Sequence, residues 1–134
     1  CCTCALRHQD ANPLQLAIDA KYGTRAELPI GEAIVAPVEP AIIAAAETDA
    51  SLPVRTVRFL IAAPTMVTPG PIEPGSRIPY QAALAAFQTC REHAPASQGA
   101  IKAVACPMFG TGWGKVPPWV AAAQMWEAFT VAWN

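Results

Sequence analysis

A chain of 134 residues is long enough for one domain with a sizeable core and short for two. Hydrophobic residues make up 53% and charged residues 14%, which argues against disorder, and nine Lys plus Arg against ten Asp plus Glu leave a net charge of −1. There is no basic block to track a nucleic-acid backbone, and prolines and charges interrupt every apolar run before the roughly 18–20 residues of a membrane span, so a cytoplasmic chain without nucleic-acid or membrane partners is expected.

The first residues, "CCTC", place Cys1, Cys2 and Cys4 together, with His8 the nearest further ligand. A fourth ligand at metal-site spacing is not evident, so these read as terminal thiols in a mobile segment over residues 1–11, and no metal or cofactor is expected. The segment has no basic-then-apolar leader pattern, and a start at Cys1 rather than methionine leads us to expect residues upstream. "NPLQLAIDAKYG" then predicts a short helix: Asn12 as N-cap, Pro13 in the first position, Leu14, Ile18 and Tyr22 four apart, Gly23 as the stop. "GEAIVAPV", residues 31–38, and "VRFLIAAP", residues 57–64, predict strands, the second buried on both faces. Between them "EPAIIAAAETDASLP" reads as a connection, and "TMVTPGPIEPGSRIP" as a long loop by its turn chemistry.

"PYQAALAAFQTCREH" predicts a helix from Pro79 with Tyr80, Ala83, Leu84 and Phe87 on one face and Arg91 and His93 near its negative end. Residues 100–106, "AIKAVAC", predict a third strand, with Cys90 and Cys106 as small core residues. "PPWVAAAQMWEAFTVAW" predicts a final helix whose stripe Trp119, Ala122, Ala123, Trp126, Phe129, Thr130, Trp133 is assigned to the core; left uncovered, that face would invite self-association. The order helix, strand, strand, helix, strand, helix, with strands covered by helices, predicts a single α/β domain in helix/sheet/helix layers over residues 1–134.

Between the third strand and the final helix lies "CPMFGTGWGKVPPW", residues 106–119. A glycine-rich strand-to-helix turn lets backbone N–H groups converge on one spot, and the helix adds its positive end, which is a phosphate site in outline. Lys115 is followed by Val116 rather than Ser or Thr, so it is not a Walker loop. The bland alternative is a tight connection with Trp113 folded onto the core.

Three stretches resemble the macro domains that bind ADP-ribose, in the family's order: "LPIGEAIVAPV", "VRFLIAAPTM" and "IKAVACPMFGTGWGKVPPWVAAAQM", the last similar to the family's final strand, phosphate loop and helix, and the helix "YQAALAAFQTCREH" falls where the family has its long penultimate helix. The likeness runs from about residue 12 to the end. It implies that Gly110, Thr111, Gly112, Trp113 and Gly114 wrap a diphosphate and the distal ribose through main-chain N–H groups, with Trp113 beside the sugar. It implies as partner ADP-ribose, a related small molecule or an ADP-ribosylated protein. The family's acidic adenine contact, asparagine-containing ribose segment and first glycine loop have no counterpart here, so the domain is expected to be incomplete at its N-terminus, to bind weakly and not to turn over. Were the chain active, the resemblance implies an ADP-ribosyl or ADP-ribose-phosphate hydrolase.

Thr65 and Met66, just past the second strand, either border the ligand cleft or anchor the loop. No residue makes a case for acid–base catalysis: His8 is terminal and His93 sits at a helix end. Two competing functions stand beside nucleotide binding, a truncated or degenerate macro-like scaffold and a small thiol redox protein, the latter requiring a reactive cysteine pair.

Overall fold

The computed structural model describes residues 13–24, 26–38, 58–96, 101 and 103–134. Helix α1, Pro13–Tyr22, is followed by strands β1, Ile34–Pro37, and β2, Phe59–Ala62, then by helices α2, Ile78–Ala96, and α3, Pro118–Trp133. The described chain is thus a mixed α/β structure, and none of its helices is long and apolar enough to cross a membrane. The cysteines of residues 1–4, His8, Asn12 and the connection over 39–53 lie outside the described residues.

Helix α1 ends as its sequence dictates. Gly23 takes φ +100°, a conformation costly for any residue with a Cβ, and its N–H closes on the Asp19 carbonyl at 2.9 Å. The strands β1 and β2 pair antiparallel, Ile34 opposite Ala62 and Pro37 opposite Phe59. The expectation of strands buried on both faces is corrected: β2 is half-buried throughout and in β1 only Ala36 is buried. Helices α1 and α2 pack against this ladder, and with two strands each keeps an unpaired outer edge among the described residues. Pro37, which has no N–H to give a ladder, suits such an edge.

The predicted third strand is also corrected. Among residues 101 and 103–106 there is no strand, and Ala103, Val104, Ala105 and Cys106 are exposed. Their apolar pattern has no neighbouring strand to pair with among the described residues, and a lone strand is not a stable element.

Helices α2 and α3 form the main packed pair. Small residues are buried on both helices, Ala82, Ala83, Ala85, Ala86 and Cys90 on α2 and Ala121, Ala128 and Ala132 on α3, and Phe87 of α2 meets Phe129 and Trp133 of α3 edge-on. Polar groups tie the pair at both ends. Gln124 is buried on α3; its Oε1 accepts the Tyr80 N–H at 3.1 Å, and its Nε2 donates to the Ser76 carbonyl at 2.9 Å. It thereby supplies an acceptor to one of the N–H groups that the first turn of α2 leaves without an intrahelical partner. Beside it Arg77 grips Glu127 with two bonds, 2.8 and 2.6 Å, and lies over the Tyr80 ring. Farther along, the Arg91 guanidinium donates to the Ala132 carbonyl in the last turn of α3 at 2.5 Å.

The aromatic stripe of α3 is not core, which reverses the expectation. Trp119, Trp126 and Trp133 are 74%, 67% and 47% exposed. Helix α3 is apolar around most of its circumference, so periodicity offered two faces, and the covered one carries Ala121, Gln124, Ala128 and Ala132.

Candidate functional site

The segment from Met108 to Pro117 folds as consecutive turns. The Thr111 N–H and hydroxyl both donate to the Met108 carbonyl, at 3.4 and 3.0 Å. The Lys115 N–H donates to the Gly112 carbonyl at 3.2 Å, and the Val116 N–H to the Gly110 carbonyl at 3.1 Å. From the long loop, the Ile72 N–H donates to the Gly114 carbonyl at 2.9 Å, which pins the glycine segment to residues 70–75.

The three glycines serve different ends. Gly110 has φ +77°, and a methyl there would stand 3.1 Å from Ile72 Cδ1 and from Val116 Cγ2. Gly114 is buried and has no room: its Cβ would lie 2.4 Å from the Gly110 carbonyl oxygen. Gly112 has nothing within 4 Å of the position a Cβ would take. The left-handed residues of this segment are Gly110 and Lys115, the latter at φ +55°, and Gly112 is not among them. The fold accounts for two glycines and leaves the third unexplained by packing.

Around Gly112 the backbone is available. Among the described residues the N–H groups of Gly112, Trp113 and Gly114 donate to no acceptor. Trp113 is 70% exposed, so its indole stands in solvent beside those donors rather than in the core. The helix beyond contributes less than expected. Pro117 and Pro118 have no N–H to offer, and the Val120 and Ala121 N–H groups both turn back to the Pro117 carbonyl, at 3.0 and 3.1 Å. The positive end of α3 therefore presents few donors.

Thr65 and Met66 line an open cleft of about 590 Å³ whose walls are Ile30 and residues of the 65–78 loop. Gly110–Gly114 do not line it. Ile72 joins the two regions: it lines the cleft, its N–H holds the Gly114 carbonyl, and its side chain fills the space above Gly110 and Gly114. Nothing local in the sequence marks Ile72, an apolar residue in a proline-rich loop, as the joining residue, or marks Lys115 as left-handed.

The thiols point away from nucleophilic chemistry. Cys90 is buried as expected, and burial raises its pKa. Cys106 is exposed as a residue, which corrects its assignment to the core, yet desolvation and then the neighbouring Cys90 raise its pKa too. Both shifts favour the protonated thiol, the opposite of an activated cysteine. The His93 ring packs edge-on against Phe59 at 4.9 Å, and its Nε2 has no hydrogen-bond partner among the described residues. Comparison with family models, with curated proteins and with solved structures finds no match to this chain.

Proposed function

We propose that the chain binds a diphosphate nucleotide of the ADP-ribose type at the 110–114 loop, within a domain of layered macro-like architecture. The observation that carries this reading is Gly112: open space at its Cβ, adjoining N–H groups without acceptors, and an exposed Trp113 alongside. A diphosphate takes such donors, and a ribose takes an aromatic cover. The ligand class comes from the resemblance of the loop to the macro-domain phosphate loop.

Half a site binds weakly, so calorimetry with ADP-ribose should give a dissociation constant in the roughly high-micromolar to millimolar range, about −4 to −6 kcal/mol. Gly112→Val should abolish that binding while the melting temperature holds, since the open space at Gly112 is harmless to the fold. Trp113→Ala should weaken binding by about 1–2 kcal/mol, as for one stacked aromatic, with the fold intact. No heat at millimolar ADP-ribose, or binding indifferent to Gly112→Val, refutes the reading. The second reading, a macro-like scaffold without nucleotide affinity, is favoured by the proline pair that strips donors from α3 and predicts the absence of heat.

A further inference from the structure

The chain hides alanines and shows tryptophans. Along α3 the stripe Trp119, Ala122, Ala123, Trp126, Phe129, Thr130, Trp133, exposed except for the half-buried Thr130, has one Trp every seven residues, close to two helical turns. Its rings are already in order: Trp126 stacks on Phe129 at 5.7 Å between centroids, Phe129 stacks on Trp133 at 4.9 Å, and Phe87 of α2 meets both Phe129 and Trp133 edge-on. Beside them Phe87, Met108, Ala122, Met125, Trp126 and Phe129 line an apolar groove of about 340 Å³.

We propose that this face is the interface of a homodimer in which two copies of α3 pack antiparallel about Trp126. The stripe is close to a palindrome centred on that residue, with Trp seven before and seven after, small residues four and three before, Phe and Thr three and four after. A two-fold axis through the contact at Trp126 puts Trp119 of one copy level with Trp133 of the other. At about 1.5 Å rise and 100° per residue, Ala122 then lies on the same flank as the other copy's Phe129, and Ala123 on the same flank as its Thr130. Large side chains meet small ones. A parallel two-fold exchanges the flanks, setting Ala122 beside the other copy's Ala123 and Phe129 beside its Thr130, which leaves a gap at one end and crowding at the other.

Area and charge favour a second copy. With the three tryptophans exposed as above and Phe129 at 41%, the four rings leave roughly 500 Å² in water, and Met108, Met125 and the alanines extend the patch toward the roughly 800 Å² per partner of a standard interface. The single ionisable side chain on α3 is Glu127, already held by Arg77, so two copies bring no unpaired charge into contact. The stacked rings are ordered before contact, which lowers the entropic cost of association.

Sedimentation equilibrium of the full chain should show a monomer–dimer equilibrium with a dissociation constant on the order of micromolar. Trp126→Glu puts two carboxylates on the axis and should give a monomer with unchanged circular dichroism, because Trp126 is solvent-facing in the monomer. The double variant Ala123→Glu/Thr130→Lys sets Glu against Lys twice in the antiparallel pairing and should give a dimer that salt weakens. A monomer at every concentration, or a dimer that survives Trp126→Glu, overturns the interface; loss of the dimer in the Glu/Lys variant at low salt overturns the antiparallel register.

Discussion

The glycine loop makes an opposed pair of demands that one experiment separates. An alanine methyl at Gly114 would sit 2.4 Å from the Gly110 carbonyl oxygen and 2.6 Å from Ile72 Cδ1. The isoleucine tip can turn aside, but the carbonyl cannot, because it accepts the Val116 N–H at 3.1 Å and that bond closes the loop. Relief requires the Val116–Gly110 bond to open and the adjoining Ile72–Gly114 bond, 2.9 Å, to lengthen or break. Two hydrogen bonds at about 1 kcal/mol each, with overpacking strain of about 1–2 kcal/mol, put the cost of Gly114→Ala at about 3–4 kcal/mol. For a chain of this size that lowers the melting temperature by roughly 10–15 °C. Gly112→Ala meets nothing within 4 Å and should melt with the wild type. The measurement is a pair of thermal melts followed by far-ultraviolet circular dichroism. A Gly114→Ala chain as stable as wild type, or a Gly112→Ala chain equally damaged, would refute the packing assigned to this loop.

Gln124→Leu keeps most of the volume but strands the Tyr80 N–H and the Ser76 carbonyl, and should cost about 2–4 kcal/mol in denaturant unfolding. Gln124→Glu keeps an acceptor for Tyr80 but turns an oxygen toward the Ser76 carbonyl, so it too should destabilise, more as rising pH ionises the carboxyl. The Glu127 carboxyl titrates below its ordinary 4.5, first through the hydrogen bonds from Arg77 and then through its charge. A depressed folded pKa contributes stability above the unfolded value and loses it as the pH falls through the folded one, so any advantage of wild type over Glu127→Gln should be full at neutral pH and shrink as acidification passes below the ordinary carboxylate value. Urea midpoints of the two chains across that range check it, and a gap that grows on acidification contradicts the pairing.

The helices were legible because their signals are local. Proline at the first position and glycine after the last set α1, and the predicted spans of α2 and α3 lie within a few residues of Ile78–Ala96 and Pro118–Trp133. What sequence could not carry was which face of α3 is covered, since that is decided by the partner. Ala121, Ala128 and Ala132 are buried, and the tryptophans face out. Gln124 left a trace, a single amide among the apolar residues between Trp119 and Trp126, but its use as a cap for another helix depends on Ser76 and Tyr80, more than forty residues away. The strand expected over 100–106 failed for the converse reason: its residues suit a strand, and among the described residues no ladder stands beside them. Of the candidate site, the loop 110–114 and the cleft at Thr65 and Met66 could each be read locally, whereas the packing of Ile72 between them could not.

The proposed loop site and the proposed dimer face share one stretch of chain, with Pro117 and Pro118 between them. Those prolines fix the entry to α3 and remove the donors that would have coupled the helix end to a bound phosphate, so the loop must rely on its own N–H groups. In the antiparallel pairing Trp119, immediately after the prolines, lies level with the other copy's Trp133, which brings the end of one α3 toward the loop of the other. Ligand and dimer are then coupled only if the second copy shields the nucleotide. Trp126→Glu decides this, because it leaves Gly112 and Trp113 untouched. Equal ADP-ribose affinity in monomer and dimer would make the loop sufficient in itself. Tighter binding by the dimer would mean that the second copy supplies part of the enclosure that the loop lacks, and by reciprocity ADP-ribose would then tighten the dimer by the same factor.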